Sequence, residues 1–255
     1  MKTKYYWIVD NESSKAQSLK KMLNSIIPNN WIQDLDKSEF IFVIGGDGTF
    51  LRNKHLYNNK KIIPINGGNL GFYAYFCKKN IKTIFSKILN DNNFIYPDEI
   101  EIVSNNIKSY ALNEVLIRSN KVLETKIYID QILLENFKGT GLMFSTQLGS
   151  TAHTKNAKGA IIGPNLNVWQ LLEIEPLTQK KYSSLNAALI IDSKSSIKLK
   201  SKFDNNAQII IDGKLIENIF NNECTIKLCK ANFLMFKPNH KKEYWHKLRD
   251  SFVRD

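Results

Sequence analysis

The chain has 255 residues, 43% of them hydrophobic and 24% charged, and carries a formal net charge of +12. That is the make-up of a globular protein with a full core in one or two domains, and no apolar run approaches the about 18 residues of a membrane span. The charge does not mark a nucleic-acid binder: only four of the 36 basic residues are arginine, 29 residues are asparagine, and the aromatics are not interleaved with the lysines as a stacking platform requires.

Taken in order, Tyr5–Val9 reads as a first strand. Asp10, Asn11 or Ser13 can cap the helix after it, where Ala16, Leu19, Met22, Leu23 and Ile26 recur at helical spacing until Pro28. Trp31-Ile32 is a short second strand and Phe40–Ile44 a third, buried on both faces. A helix then runs to about Tyr57, and Ile62–Ile65 forms the next strand. Ile81–Leu89 presents one helical apolar face. The alternation predicts a parallel α/β unit whose ligand loops sit at the carboxyl ends of its strands.

Beyond Pro97 the pattern turns to strands: Glu99–Val103, Lys108–Arg118, Thr125–Ile129, Ile132–Phe137, Leu142–Thr146, Leu189–Ile191, Ile197–Phe203, Ala207–Asp212, Glu223–Leu228 and Phe233–Phe236. Asp130-Gln131 is a hairpin turn without the usual glycine, and Thr151–Lys158 and Leu166–Leu172 are short helices. In the tail, Trp245, Leu248 and Phe252 share a helical face that packs back on the first domain. The expected organisation is an α/β domain over 1–97, joined by 240–255, and a mainly β domain over 98–239.

Two windows hold most of the glycine: six of the twelve lie between 45 and 71, and five between 139 and 163. In the first, the 40–44 strand runs into Gly45-Gly46-Asp47-Gly48-Thr49, followed by Phe50-Leu51. Glycines let a backbone approach a ligand closely, and their amides at a helix start attract phosphate oxygens. A carboxylate repels phosphate, so Asp47 points to chemistry, as a base for a hydroxyl or a magnesium contact; its other reading is a helix cap. The next strand also ends in such a loop, Asn66-Gly67-Gly68-Asn69-Leu70-Gly71-Phe72. The three cysteines, Cys77, Cys224 and Cys229, have no metal-binding spacing and read as buried or incidental thiols. With no signal-peptide pattern at the N-terminus, a cytoplasmic location is expected.

Joined by Ala111-Leu112-Asn113-Glu114 and Gly149-Ser150-Thr151-Ala152, these loops resemble the NAD kinase family, in the same order and over nearly the whole chain, into Tyr244-Trp245-His246-Lys247. The resemblance implies magnesium-dependent phosphorylation of the 2′-hydroxyl on the adenosine ribose of NAD, with ATP or polyphosphate as donor. It makes Asp47 the residue that activates the hydroxyl, and Gly45, Gly46, Gly48 and Thr49 part of the phosphate loop. Asn66, Gly71 and Phe72 would cradle pyrophosphate or line the adenosine pocket. Asn113 and Glu114 would hydrogen-bond ribose, and Thr151, Ala152, His153 and Asn156 would line the dinucleotide site. Asp212-Gly213 resembles a pair near that site and reads equally as a β-turn. The family assembles as homodimers or homotetramers, so a closed symmetric oligomer is expected.

The departures from the family are Thr140 for a usual Asp between Gly139 and Gly141, His153 for a usual Tyr, and Gln147-Leu148 for a Pro and a small hydroxyl residue. They bear on substrate affinity and on NAD against NADH. Two other readings follow from the residues: a lipid or sugar kinase sharing the glycine-aspartate loop, which has no use for Asn113-Glu114, and a dinucleotide sensor without turnover.

Overall fold

The computed structural model describes residues 3–68, 71–177, 184–201, 207–216, 223–237 and 241–253. These group into two compact units, one of Met1–Pro97 with Ala231–Asp255, the other of Asp98–Lys230.

The first unit starts with β1 (Lys4–Asp10), α1 (Ser14–Asn24), β2 (Trp31–Gln33), β3 (Phe40–Gly45), α2 (Asp47–Arg52), β4 (Lys61–Asn66), α3 (Ile84–Ile88) and β5 (Phe94–Ile95). The chain returns to it as β16 (Leu234–Phe236) and α5 (Lys241–Phe252). The sheet order is β2-β1-β3-β4-β16-β5. All neighbours are parallel except β16 and β5, so the sheet is mixed rather than purely parallel.

Every residue of β3 is buried, as its unbroken apolar run requires of a strand covered on both faces. On one face lie Ala16, Leu19 and Leu23 of α1, whose first turn is capped by the Ser13 hydroxyl accepting from the Ala16 amide at 3.2 Å. Under α2, Phe50, Tyr57, Tyr73 and Phe233 pack together with centroids 4.9–6.2 Å apart, edge to face except for the tilted Phe50–Phe233 pair, and the Tyr57 hydroxyl donates to the Phe50 carbonyl at 2.8 Å. This aromatic floor seats the first glycine loop.

The second unit is an antiparallel sheet of β6 (Asp98–Ser104), β7 (Ile107–Ala111), β8 (Glu114–Ile129), β9 (Ile132–Ser145), β10 (Val168–Ile174), β11 (Leu189–Asp192), β12 (Ser196–Lys200), β13 (Ala207–Ile211), β14 (Lys214–Ile216) and β15 (Glu223–Lys230), with a short helix α4 (His153–Asn156). The long β8 pairs with β9 along most of its length, with β13 over its first half and with β12 over its second. One core, built on Val115, Ile117, Phe137, Phe144, Trp169, Ile197 and Ile226, lies against it.

The expected α/β-plus-β architecture is found, with local corrections. Leu166–Leu172 is not a helix: Val168–Ile174 is a strand, and the burial of Trp169–Glu173 on both faces explains the misreading, because a short apolar run carries no period that separates strand from helix. The strand expected over Phe233–Phe236 belongs to the first unit, between β4 and β5, not to the β half. The helix expected through Tyr57 stops at Arg52 and continues as a 3-10 turn over Lys54–Leu56; Ile81–Leu89 splits in the same way, with a 3-10 turn at Ile81–Thr83 before α3. The strand expected over Lys108–Arg118 breaks at Leu112-Asn113, whereas the strands expected over Ile132–Phe137 and Leu142–Thr146 are one, with Gly139-Thr140-Gly141 inside it. Asp130 and Gln131 do make the β8–β9 turn, both at positive φ (48° and 72°). Asn69 and Leu70 lie outside the described residues, as does the Lys202–Phe203 end of one expected strand.

Candidate functional site

In the first unit the two glycine loops lie side by side, because the strands that carry them are parallel neighbours and Gly45 is in register with Asn66. The Gly67 amide donates to the Gly45 carbonyl at 3.2 Å, and the Asn66 side-chain oxygen accepts from the Gly68 amide at 2.9 Å, which closes the second loop over the first. Gly46 caps α2 with extended backbone and without a side-chain bond, and Asp47 is the first helical residue.

The Asp47 carboxylate does not cap its own helix. It turns to the second loop, where it accepts from the Phe72 amide at 2.9 Å and the Tyr73 amide at 3.3 Å. Gly71 makes this approach possible: a Cβ there would stand 2.9 Å from the Asp47 carboxylate. From α5, the Lys247 ammonium donates to the carbonyls of Phe72, at 3.4 Å, and of Ala74. Burial pushes the Asp47 carboxyl above the usual carboxylate range, against the two amides and the Lys247 charge, which pull it down. Such a carboxyl is a better proton acceptor than an exposed one, and it is held at a fixed angle. Thr49 is buried, its hydroxyl accepting from Arg52 at 3.3 Å, while Gly48 is exposed.

In the second unit, the break between β7 and β8 turns the amides of Leu112, Asn113 and Glu114 toward one acceptor, the Asp212 carboxylate, at 2.8, 2.7 and 3.3 Å. Asp212 and Gly213 form the β13–β14 turn, both at positive φ (49° and 79°), so this pair is a turn and a structural partner of Asn113-Glu114 at once. The segment Gly149–Thr151 rests on the same break. The Thr146 hydroxyl donates to the Leu112 carbonyl at 2.6 Å and accepts from the Gly149 amide at 3.1 Å, and a Cβ on Gly149 would fall 2.1 Å from the Asn113 carbonyl oxygen.

Asn113 and Glu114 are 6% and 5% exposed, and one oxygen of Glu114 is buried without a hydrogen-bond partner in the protein. Burial, with the Asp212 carboxylate beside it, pushes the Glu114 carboxyl up to about 7. An acceptor held in this way suits a hydroxyl donor from a ligand, since an unmade bond at a buried oxygen costs more than the net worth of an ordinary one.

A model of the ATP-NAD kinase N-terminal domain matches residues 5–93, and one of the ATP-NAD kinase C-terminal domain matches residues 112–237. The chain belongs to the ATP-NAD kinase family. It is similar to the NAD kinase of Mycoplasmoides gallisepticum (34% identical, over 84% of this chain and 81% of that one) and to that of Ureaplasma parvum (34%, over 88% and 84%). Among solved structures it shares the fold of an NAD kinase from Archaeoglobus fulgidus in complex with ATP, at 21% identity and a TM-score of 0.76, over 96% of this chain and 98% of that one.

Against this family background the expected site residues divide by unit. Gly45, Gly46, Asp47, Gly48, Thr49, Asn66, Gly71 and Phe72 gather at the two loops of the first unit. Asn113, Glu114 and Thr151 gather in the second, the Thr151 hydroxyl being turned to the Leu148 carbonyl at 3.1 Å. Ala152 caps α4, and His153 and Asn156 are exposed on that helix. Thr140 is bonded instead to Glu175, at 2.7 Å. The role of Lys247 was missed from sequence; its place three residues after Tyr244 on α5, on the same face, was the available signal.

Proposed function

We infer that this chain is an NAD kinase, transferring a phosphoryl group to the 2′-hydroxyl of the adenosine ribose of NAD to give NADP. The observation that carries the reading is Asp47: a partly desolvated carboxylate on a Gly-Gly-Asp-Gly-Thr loop, held by two amides of a second glycine loop, in a chain of the ATP-NAD kinase family. Phosphoryl transfer asks a protein for alignment, charge neutralisation and one nearby proton acceptor. Asp47 takes the proton of the ribose hydroxyl, while Gly45, Gly46, Gly48 and Thr49 receive the donor's phosphates. Asn66, Gly71 and Phe72 line the neighbouring loop. Glu114 and Asn113 bind ribose hydroxyls, supported by the buried, unpartnered oxygen of Glu114. Thr151, Ala152, His153 and Asn156 complete the dinucleotide side.

Among the described residues no three His, Cys, Asp or Glu side chains cluster as a metal cage, and both oxygens of Asp47 already accept amide hydrogens. That donor set would suit a magnesium ion that arrives with the donor's phosphates, where it would supply charge neutralisation. The donor is ATP or polyphosphate. A cytoplasmic location and a homodimer or homotetramer belong to the same proposal.

Purified protein incubated with NAD, magnesium and either ATP or polyphosphate, with NADP read by an NADP-specific dehydrogenase, tests it. NADP formation is expected. Thermal stabilisation by NAD without any NADP would identify a sensor instead.

A further inference from the structure

The turn after the second glycine loop is held from both sides. Its amides at Phe72 and Tyr73 donate to Asp47, and its carbonyls at Phe72 and Ala74 accept from Lys247. The two charged groups thus bind opposite poles of one peptide unit, Lys247 its Phe72 carbonyl and Asp47 its Tyr73 amide, and each also holds one further unit of the turn. Lys247 comes from α5, beyond residue 237 where the match to the C-terminal domain model ends. The same helix sends Phe252 to stack on the Phe72 ring, with centroids 5.6 Å apart and planes at 16°, and Tyr244 to its edge at 6.4 Å.

Burial of Lys247 lowers the pKa of its ammonium, opposed by Asp47, Glu243 and Cys77, so the cation is held there against a desolvation cost. A lysine serving only to dock α5 could keep its charge in water by extending along the surface. This one is spent on two carbonyls of the turn that orients Asp47.

We propose that Lys247 is a positioning residue for Asp47: from the C-terminal helix it locks the 72–74 turn, so that the two amides hold the carboxylate at a single angle for the incoming hydroxyl. The proposal rests on the reading of Asp47 as proton acceptor. A misplacement of about 1 Å at such a group costs up to about 100-fold in rate. Removal of Lys247 therefore lowers kcat far more than it raises KM.

The test has two arms. In hydrogen exchange of the whole chain without substrate, Lys247→Met speeds exchange at the Phe72 and Tyr73 amides by about tenfold or more, while Lys247→Arg keeps them slow. In turnover with NAD, Lys247→Met lowers kcat about 10–100-fold, Lys247→Arg restores most of it, and Lys247→Met adds no loss on an Asp47→Asn background. Exchange at Phe72 and Tyr73 unchanged by Lys247→Met, or an equal kcat loss with and without Asp47, overturns the proposal. If Lys247→Met does not fold, Lys247→Gln, which keeps an N–H donor but no charge, is read by the same two criteria. A wild type that forms no NADP would refute the kinase reading alone, since the exchange arm reads the clamp without it.

Discussion

The two units each bury a carboxylate at a strand end, and they treat it in opposite ways. Asp47 is surrounded by donors: two backbone amides donate to its oxygens and a lysine lies across the turn that bears them. Glu114 lies beside another acid, Asp212, and has an oxygen that meets no donor. Asp212 takes the three amides that Glu114 and its neighbours have to offer. The first carboxylate is thus finished by the protein, as a group that must act at a fixed angle should be. The second is left short of a donor, as a group that must receive a ligand's hydroxyl should be. Under the proposed function one ion type would serve two different tasks, and the partners differ accordingly.

Replacing Asp47 by Asn gives the largest effect and attacks the first half of this contrast. The amide keeps an oxygen for one backbone N–H but loses both the charge and the basicity. We expect kcat to fall by about 10²–10⁴ with a smaller change in NAD affinity. Steady-state rates with a direct titration of NAD check it; an unchanged kcat would remove Asp47 from the chemistry and reduce it to a loop tie.

Glu114→Gln attacks the second half. With the folded carboxyl pushed up to about 7 from an ordinary 4.5, the folded state holds the proton more tightly than the unfolded chain. Glu114 then costs nothing below about pH 4.5, and ligand-free stability declines as pH rises toward 7. Glutamine removes the penalty, so the variant should be more stable than wild type at pH 8 by an amount of order 1–3 kcal/mol, with the difference vanishing near pH 4. NAD should bind it more weakly, and ATP about as before. Melting curves from pH 4 to 8 decide this; a variant less stable than wild type at pH 8 would mean that Glu114 supports the fold rather than waiting for a ligand.

The same contrast explains what could be read from the chain. The first loop is contiguous: a buried strand, three glycines, an acid and a helix start lie within Phe40–Leu51, and local rules suffice for them. What holds Asp47 is less local, since the partner loop lies 25 residues on and Lys247 reaches the turn across 175 residues. In the second unit nearly everything is distant. The break between β7 and β8 falls inside an apolar run that reads as one strand, and the acid that stabilises it arrives 100 residues later on a hairpin turn. Only resemblance to a family could raise Asn113-Glu114 above an ordinary polar pair. The misread Leu166–Leu172 segment failed for a different reason, a run buried on both faces and too short to show a period.

The glycines offer the smallest and sharpest probe of the comparison. Gly149 in the second unit is sealed, with the Asn113 carbonyl where a side chain would go, so its lack of a Cβ serves packing. Gly46 in the first is open: a Cβ would meet nothing within 4 Å, and its φ of −93° and ψ of −178° suit alanine. Packing therefore does not explain why glycine stands there, whereas the proposed approach of a phosphate would. Gly46→Ala should change stability by less than about 1 kcal/mol, a helix-cap effect, which moves Tm by at most about 4 °C. The same methyl would occupy the space of the donor's phosphate and raise KM for ATP while leaving NAD affinity alone. A KM unchanged by that methyl would mean that the phosphates do not pass over Gly46, and that the open side of the loop faces something other than the donor.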